Sequence, residues 1–212
     1  METNQTKVWT SQFGEDYTSR NTYENIDDHN QSYIDYYGKT KDELNKEILS
    51  TLPKNLKILE VGSNIGYQLA SLQRFGFYNL YGIEIQRNCV DQSKKLWKGI
   101  DIIQASGFDI PFKNNFFDLV FTNNVLIHIS PKDIDIVLNE MNRVSAKYIY
   151  GFEYYSEKYE SINYRDNKDL LWKTDFANLF LKKFSNLKSI FSKKYPCLNF
   201  KGNIDKAYIL EK

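Results

Sequence analysis

From residue 56 to residue 152 the chain alternates short apolar runs with longer stretches whose apolar positions recur every three or four residues. LKILEV (56–61) is a near-continuous apolar run entering a glycine turn, the pattern of a strand buried on both faces. Leu69, Leu72 and Phe75 then repeat at helical spacing, and Gly76 stands where a left-handed helix terminator belongs. LYGIEI (80–85) predicts a second strand, followed by a helical stretch through Trp97. IDIIQA (100–105), FDLVFT (117–122) and YIYGF (148–152) predict three more. Ser130-Pro131-Lys132-Asp133 reads as a capping box with proline in the first helical position. Behind it Ile134, Val137, Leu138, Met141 and Val144 mark one apolar helix face. Strand–helix alternation of this kind predicts an α/β fold, a doubly wound, Rossmann-like and mostly parallel sheet.

The flanks are less regular. Trp9, Phe13 and Tyr17 follow i, i+4, i+8 and predict one face of a short N-terminal helix within a helical lead-in. After the fifth strand comes a polar, Tyr-rich stretch (153–169), then a helix near 170–184. Strands near 187–192 and 206–211 would close the chain as an antiparallel hairpin. The expectation is a single domain over 1–212, with helices over 1–50, a central core over 56–150 and a closing segment over 151–212.

Composition narrows the class. The chain has 212 residues, 42% of them hydrophobic, with only 10 Gly and 4 Pro, which suits a packed core and excludes disordered or collagen-like character. The net charge of +1 argues against coating nucleic acid or an anionic membrane. That balance hides a net −5 over residues 1–50 and +5 over residues 166–212, read as two solvated faces that attract each other. A basic patch of Lys182, Lys183, Lys188, Lys193 and Lys194 is the sharper reading, with RNA as partner. No apolar run is long enough to span a bilayer, and METNQTKVWTSQFGEDY lacks the apolar stretch of a secretory leader; the expected location is cytoplasmic. Two cysteines, Cys89 and Cys197, make neither a disulfide framework nor a four-ligand zinc site, and no metal is expected. The aromatic fraction is high at 16%, with 16 Tyr and 14 Phe. The phenylalanines fall at core periodicities. The tyrosines after the fifth strand (Tyr148, Tyr150, Tyr154, Tyr155, Tyr159, Tyr164) predict a wall for a polyhydroxylated or ring substrate.

The chemistry concentrates in ILEVGSNIGYQL (58–69), a G-x-N-x-G turn between strand and helix. It is neither the dinucleotide G-x-G-x-x-G nor a phosphate loop, and no lysine follows to grip a phosphate. Glu60 before the turn would repel a pyrophosphate. Glycines beside a carboxylate suit a nucleoside whose tail is cationic. Gly62, Asn64 and Gly66 shape the turn; Asn tolerates left-handed dihedrals. Glu84 ends the second strand, with Ile85 beside it, where a carboxylate accepts hydrogen bonds from both ribose hydroxyls. Ser106, Gly107 and Phe108, after the third strand, are placed to read an adenine edge.

These residues resemble a family. ILEVGSNIG, the acidic tip at Glu84, and DIPFKNNFFDLVFTNNVLIHI (109–129) look like class I S-adenosylmethionine-dependent methyltransferases. WTSQFGEDYTSRN (9–21), EVGSNIGYQL and YRDNKDLLWKTDF (164–176) are similar to the methylases found beside pseudaminic-acid and related surface-sugar biosynthesis. The resemblance implies S-adenosyl-L-methionine as cofactor and in-line attack by a substrate heteroatom on its methyl carbon. It implies a small polar acceptor, sugar-derived or a nucleotide-activated sugar. Trp9 and Arg20 join the cofactor set from a lid over the cleft, and Asn123 touches the cofactor. Tyr17, Asn124, Tyr154, Tyr155, Tyr164 and Arg165 are assigned to the acceptor. His128, just beyond the fourth strand, is the candidate base. TNNV is not the [DN]-P-P-[YFW] loop of adenine or glutamine N-methylation, and no Pro-Cys nucleophile is present, so oxygen or small-molecule nitrogen is the expected target. Two alternatives stand beside this reading: a tRNA or protein methyltransferase using the Lys-rich C-terminal region, and a non-catalytic partner protein.

Overall fold

The computed structural model describes residues 2–212. Four helices come first: α1 (Asn4–Trp9), α2 (Gln12–Arg20), α3 (Ile26–Tyr37) and α4 (Lys41–Leu49). The core follows as β1 (Lys57–Val61), α5 (Tyr67–Arg74), β2 (Asn79–Glu84), α6 (Arg87–Leu96), β3 (Ile100–Gln104), β4 (Phe117–Asn123), a 3₁₀ turn Leu126–His128, α7 (Ile134–Val144) and β5 (Ser145–Tyr154). The chain closes with β6 (Glu160–Tyr164), β7 (Asn167–Lys173), α8 (Phe176–Lys183), β8 (Lys188–Pro196) and β9 (Ile204–Glu211).

The main sheet has seven strands in the order β3-β2-β1-β4-β5-β9-β8. The first five are parallel; β9 inserts antiparallel beside β5 and carries β8 on its far edge. This is the expected α/β, doubly wound, Rossmann-like architecture with a helical lead-in and a C-terminal antiparallel hairpin. Strand order reverses between β1 and β4, and in open α/β sheets ligands bind outside the carboxyl ends of the strands at such a point.

The apolar runs are continuous because both faces are covered. Ile58, Leu119, Tyr148 and Tyr150 pack on one side with Leu44, Ile48 and Leu69 from α4 and α5. Leu59, Val120 and Ile149 pack on the other with Val137, Met141 and Phe180 from α7 and α8. Side chains alternate faces along a strand, so each neighbouring pair divides between two cores. Tyr148 and Tyr150 are therefore core residues and not part of a substrate wall.

Three local expectations are corrected. The N-terminal aromatic stripe spans two helices, because Ser11 interrupts it and caps α2 by accepting from Phe13 N. Trp9 nevertheless stays against Phe13 and Tyr17, ring centres 5.5 and 5.1 Å apart. The Ser130 box does not form: Ser130 starts a turn, its carbonyl accepting from Asp133 N and Ile134 N, and α7 begins at Ile134. Residues 170–173 are strand and not helix. They belong to the β6–β7 hairpin, whose two-residue turn Arg165-Asp166 has positive φ at both positions (50° and 64°), the turn that matches strand twist. Burial of Leu170, Leu171 and Trp172 holds this segment extended, and α8 waits until Asp175 caps it.

The oppositely charged ends do meet. Glu47 of α4 accepts from Lys193 Nζ and from Tyr195 Oη (3.1 Å) on β8, and Lys39 Nζ lies 2.5 Å from its other oxygen. These contacts hold the Glu47 carboxyl down at about 2.

Candidate active site

A cavity of about 600 Å³ lies along the carboxyl ends of β1, β2 and β4, under α1, α2 and the β6–β7 turn. Among the described residues no helix is long and apolar enough to cross a membrane, and no His/Cys/Asp/Glu group is placed to hold a metal ion.

The β1–α5 turn forms its floor. Gly62 N and Ser63 N both donate to Ile83 O (2.9 and 3.0 Å), tying the turn to β2. Gly62 has φ +74°, and a Cβ there would stand 2.8 Å from Val125 Cγ2. Asn64 has φ +48°, so it takes the left-handed conformation that its side chain tolerates. Its amide group bridges, with Oδ1 accepting from Ile65 N at 2.7 Å and Nδ2 donating to Thr18 Oγ1 of α2 at 3.1 Å.

Gly66 is a correction, because it does not border the cavity. It starts α5 at φ +94°, and an added Cβ would meet Ile102 Cδ1 at 2.8 Å and the Trp97 ring at 3.1 Å. Its role is conformational and packing. Gly66→Ala is expected to lower stability by about 1–3 kcal/mol, from strain plus overpacking, read as a lower midpoint in chemical denaturation.

Glu84 is 6% exposed and anchors the turn: Oε2 accepts from Asn64 N at 2.8 Å and Oε1 from Gln86 N at 2.9 Å. An ionised carboxylate offers about four acceptor positions, so roughly half of its capacity is left toward the cavity that it borders. Burial pushes its pKa up, and the backbone bonds oppose that. Glu60, at the end of β1, is 2% exposed and borders the cavity with Oε2 unpartnered. Burial holds its pKa well above the carboxylate range, while the Lys41 cation pulls it down. Lys41, 3% exposed, lies over the Tyr33 and Phe152 rings (4.9 and 5.5 Å), and burial lowers it to about 8. A lysine in the polar first turn of a helix reads as solvated, and only the packed fold shows it as a buried counter-charge.

Ile85, Ser106, Gly107 and Phe108 border the cavity at the tips of β2 and β3, with Ser106 Oγ accepting from Phe108 N (3.2 Å). Asn123 and Asn124 border it at the tip of β4, each with an unpartnered Oδ1; Asn124 is left-handed at φ +55°.

His128 also borders it, 9% exposed. Its Nδ1 lies 2.7 Å from Leu170 O, and since a carbonyl only accepts, Nδ1 carries the proton and Nε2 is the basic nitrogen. Burial lowers its pKa to about 4, the bond to Leu170 O opposing. Trp9 stands 4.5 Å away, ring centre to ring centre, and Tyr164 5.6 Å. Two segments remote in sequence, 9–21 and 164–176, thus converge on this histidine.

Trp9, Tyr17, Arg20, Tyr154, Tyr164 and Arg165 line the same cavity. Tyr155 does not, and is corrected. Alternation past Tyr154 turns it away from the cavity, where Lys194 and Lys206 cover its ring at 4.0 and 5.3 Å. Sequence reasoning missed Tyr23, Tyr33, Tyr36 and Tyr37 from the lead-in, together with Asn203 and Asp205 from the β8–β9 end.

Residues 59–148 match the methyltransferase domain family. No curated protein matches the sequence. Among solved structures the chain is similar in fold to a protein of Pyrococcus horikoshii OT3 (TM-score 0.69, 16% identity, 93% of this chain and 98% of that one). It is similar to the magnesium protoporphyrin IX methyltransferase of Synechocystis PCC 6803 with bound S-adenosylmethionine (0.69, 11%, 100% and 98%). A third is the 1,6-didemethyltoxoflavin N1-methyltransferase of Burkholderia thailandensis with bound S-adenosylhomocysteine (0.64, 12%, 81% and 76%).

Proposed function

We propose that the protein transfers the methyl group of S-adenosyl-L-methionine to an oxygen, or a nitrogen, of a small polar acceptor derived from a sugar, in surface-glycan biosynthesis. The observation that carries this reading is one cavity with two chemistries. Its β1–β2 end holds the glycine turn and two buried carboxylates, Glu60 and Glu84. Its other end is walled by tyrosines and side-chain amides. The resemblance of residues 9–21 and 164–176 to surface-sugar methylases supports the sugar acceptor. The fold alone does not choose it, since a toxoflavin precursor and a magnesium porphyrin are acceptors for similar folds.

The residues fit the cofactor. Glu84 has free lone pairs for ribose hydroxyls, Glu60 Oε2 and the Asn123 amide oxygen await donors, and a Cβ at Gly62 would narrow the turn. Ser106, Gly107 and Phe108 would hold the adenine base, and Trp9 and Arg20 would cover the cofactor from the lid. When bound, S-adenosylmethionine supplies a methyl carbon carried on a sulfonium with a neutral leaving group. The chain's task is then mainly alignment, an effect worth roughly 7–11 kcal/mol when geometry is held tightly. Tyr17, Asn124, Tyr154, Tyr164 and Arg165 hold the acceptor. His128 Nε2 takes the acceptor's proton, and its low pKa keeps it unprotonated at neutral pH.

The test is transfer of isotope-labelled methyl from S-adenosylmethionine to a panel of free sugars, nucleotide-activated sugars, tRNA and protein. Label in a sugar or nucleotide sugar is the expected outcome; label only in tRNA or protein overturns the acceptor. In the basic C-terminal region Lys183, Lys188 and Lys193 are paired with Asp135, Glu211 and Glu47.

A further inference from the structure

The cavity continues past the proposed cofactor end to the last antiparallel strand pair, and there it meets a second built feature. Asp205, near the start of β9, pairs in register with Tyr154 of β5, two strands beyond the tip of β4. It is 1% exposed yet borders the cavity. Oδ2 accepts from Tyr37 Oη at 3.0 Å, and Oδ1 has no partner. Around it the cavity is walled by Tyr33, Tyr36, Tyr37, Tyr154 and Phe200. These rings form a chain of contacts, with Tyr33–Tyr37 at 5.8 Å, Tyr36–Tyr37 at 6.1 Å and Tyr36–Phe200 at 6.2 Å.

A half-paired carboxylate among aromatic faces is short of one thing, a cation. Lysines stand nearby, Lys41 Nζ over the Tyr33 ring at 4.9 Å and Lys173 Nζ over the Tyr154 ring at 5.5 Å, but none bonds Oδ1: Lys173 Nζ is taken by Asn203 Oδ1, and Lys206 Nζ by both oxygens of Asp175 at 2.8 Å. The cavity's arginines, Arg20 and Arg165, come from α2 and the β6–β7 turn, not from this end. A neutral hydroxyl would satisfy Oδ1 but would leave the charge and the faces of Tyr36, Tyr37 and Phe200 unused. An ammonium uses all three.

We infer that Asp205 and the surrounding tyrosines form a subsite for a protonated amine on the acceptor, so that the substrate class is an amine-bearing sugar or similar small amine. The inference rests on the cofactor and acceptor reading above. Burial raises the Asp205 carboxyl to about 6, and Lys173 opposes that, so the group is ionised at pH 8 and is costly to keep without a ligand. Charge there serves binding and not folding.

The experiment is ligand-observed NMR titration at pH 8 on protein saturated with S-adenosylhomocysteine. The probes are a 2-amino-2-deoxyhexose and the hexose with hydroxyl in its place. The wild type is expected to prefer the amine by at least tenfold, the scale of a hydrogen bond to a charged group. Asp205→Asn is expected to reduce the preference to about one, with S-adenosylhomocysteine affinity unchanged and thermal midpoint equal or higher. Phe200 is 58% exposed, so Phe200→Ala leaves the core intact and is expected to weaken the amine several-fold. Equal affinity for both probes in the wild type overturns the inference, as does an undiminished preference in Asp205→Asn. Failure of S-adenosylhomocysteine to bind the wild type would instead remove the cofactor reading beneath it.

Discussion

Glu84→Ala is expected to raise the dissociation constant for S-adenosylhomocysteine by about a hundredfold or more, measured by titration calorimetry. Two charge-assisted hydrogen bonds to ribose hydroxyls contribute about 1.5–3 kcal/mol each, and every 1.4 kcal/mol is tenfold. The turn loses an anchor as well, because Asn64 N and Gln86 N both donate to this carboxylate. Glu84→Gln keeps one acceptor oxygen and the shape of the site but sets its NH2 against one of the two backbone donors, and an intermediate loss of roughly tenfold is expected. Burial raises the Glu84 pKa, so its charge costs stability as pH rises from the unfolded value through the folded one.

The second large effect falls on His128. His128→Asn is expected to lower kcat by about 10²–10⁴, the usual contribution of a positioned base, with S-adenosylhomocysteine affinity changed less than threefold. The pH profile is diagnostic. Because burial lowers this imidazole to about 4, log kcat/KM should rise with pH through that value and show no inflection near 6.5. Its contribution to stability has the matching sign. The folded protein holds it neutral, so stability is full above the unfolded value near 6.5 and is lost as pH falls toward 4. An inflection near 6.5 that persists in His128→Asn would assign the proton to another group.

The comparison of chain and fold shows where pattern carries information. Ile58-Leu59 and Leu119-Val120 announced buried strands because two faces demand two apolar neighbours, and the parallel order followed from the helices between them. The G-x-N-x-G turn and Glu84 were legible because close backbone approach and a strand-tip carboxylate leave distinct residue types. The β6–β7 hairpin was not legible. Its stability comes from burying Leu170–Trp172 against distant elements, and Arg165-Asp166 is a turn pair without the usual glycine. Lys41 and Asp205 were hidden for a related reason: each sits in a polar stretch, and only the packing of α3, α4 and β9 buries it. Tyr155 shows the limit of grouping by composition, since one position along a strand exchanges cavity for surface. The tyrosine wall exists, but α2 and α3 supply more of it than the segment after β5 does.

The central claim is that the cavity at the β1–β4 reversal holds S-adenosylmethionine. Titration calorimetry of the wild type with S-adenosylhomocysteine tests it most directly. The account predicts one site per chain, with affinity lowered about a hundredfold or more by Glu84→Ala and retained by His128→Asn. A wild-type protein that is folded by circular dichroism and gives no binding heat across a range of temperatures would contradict it.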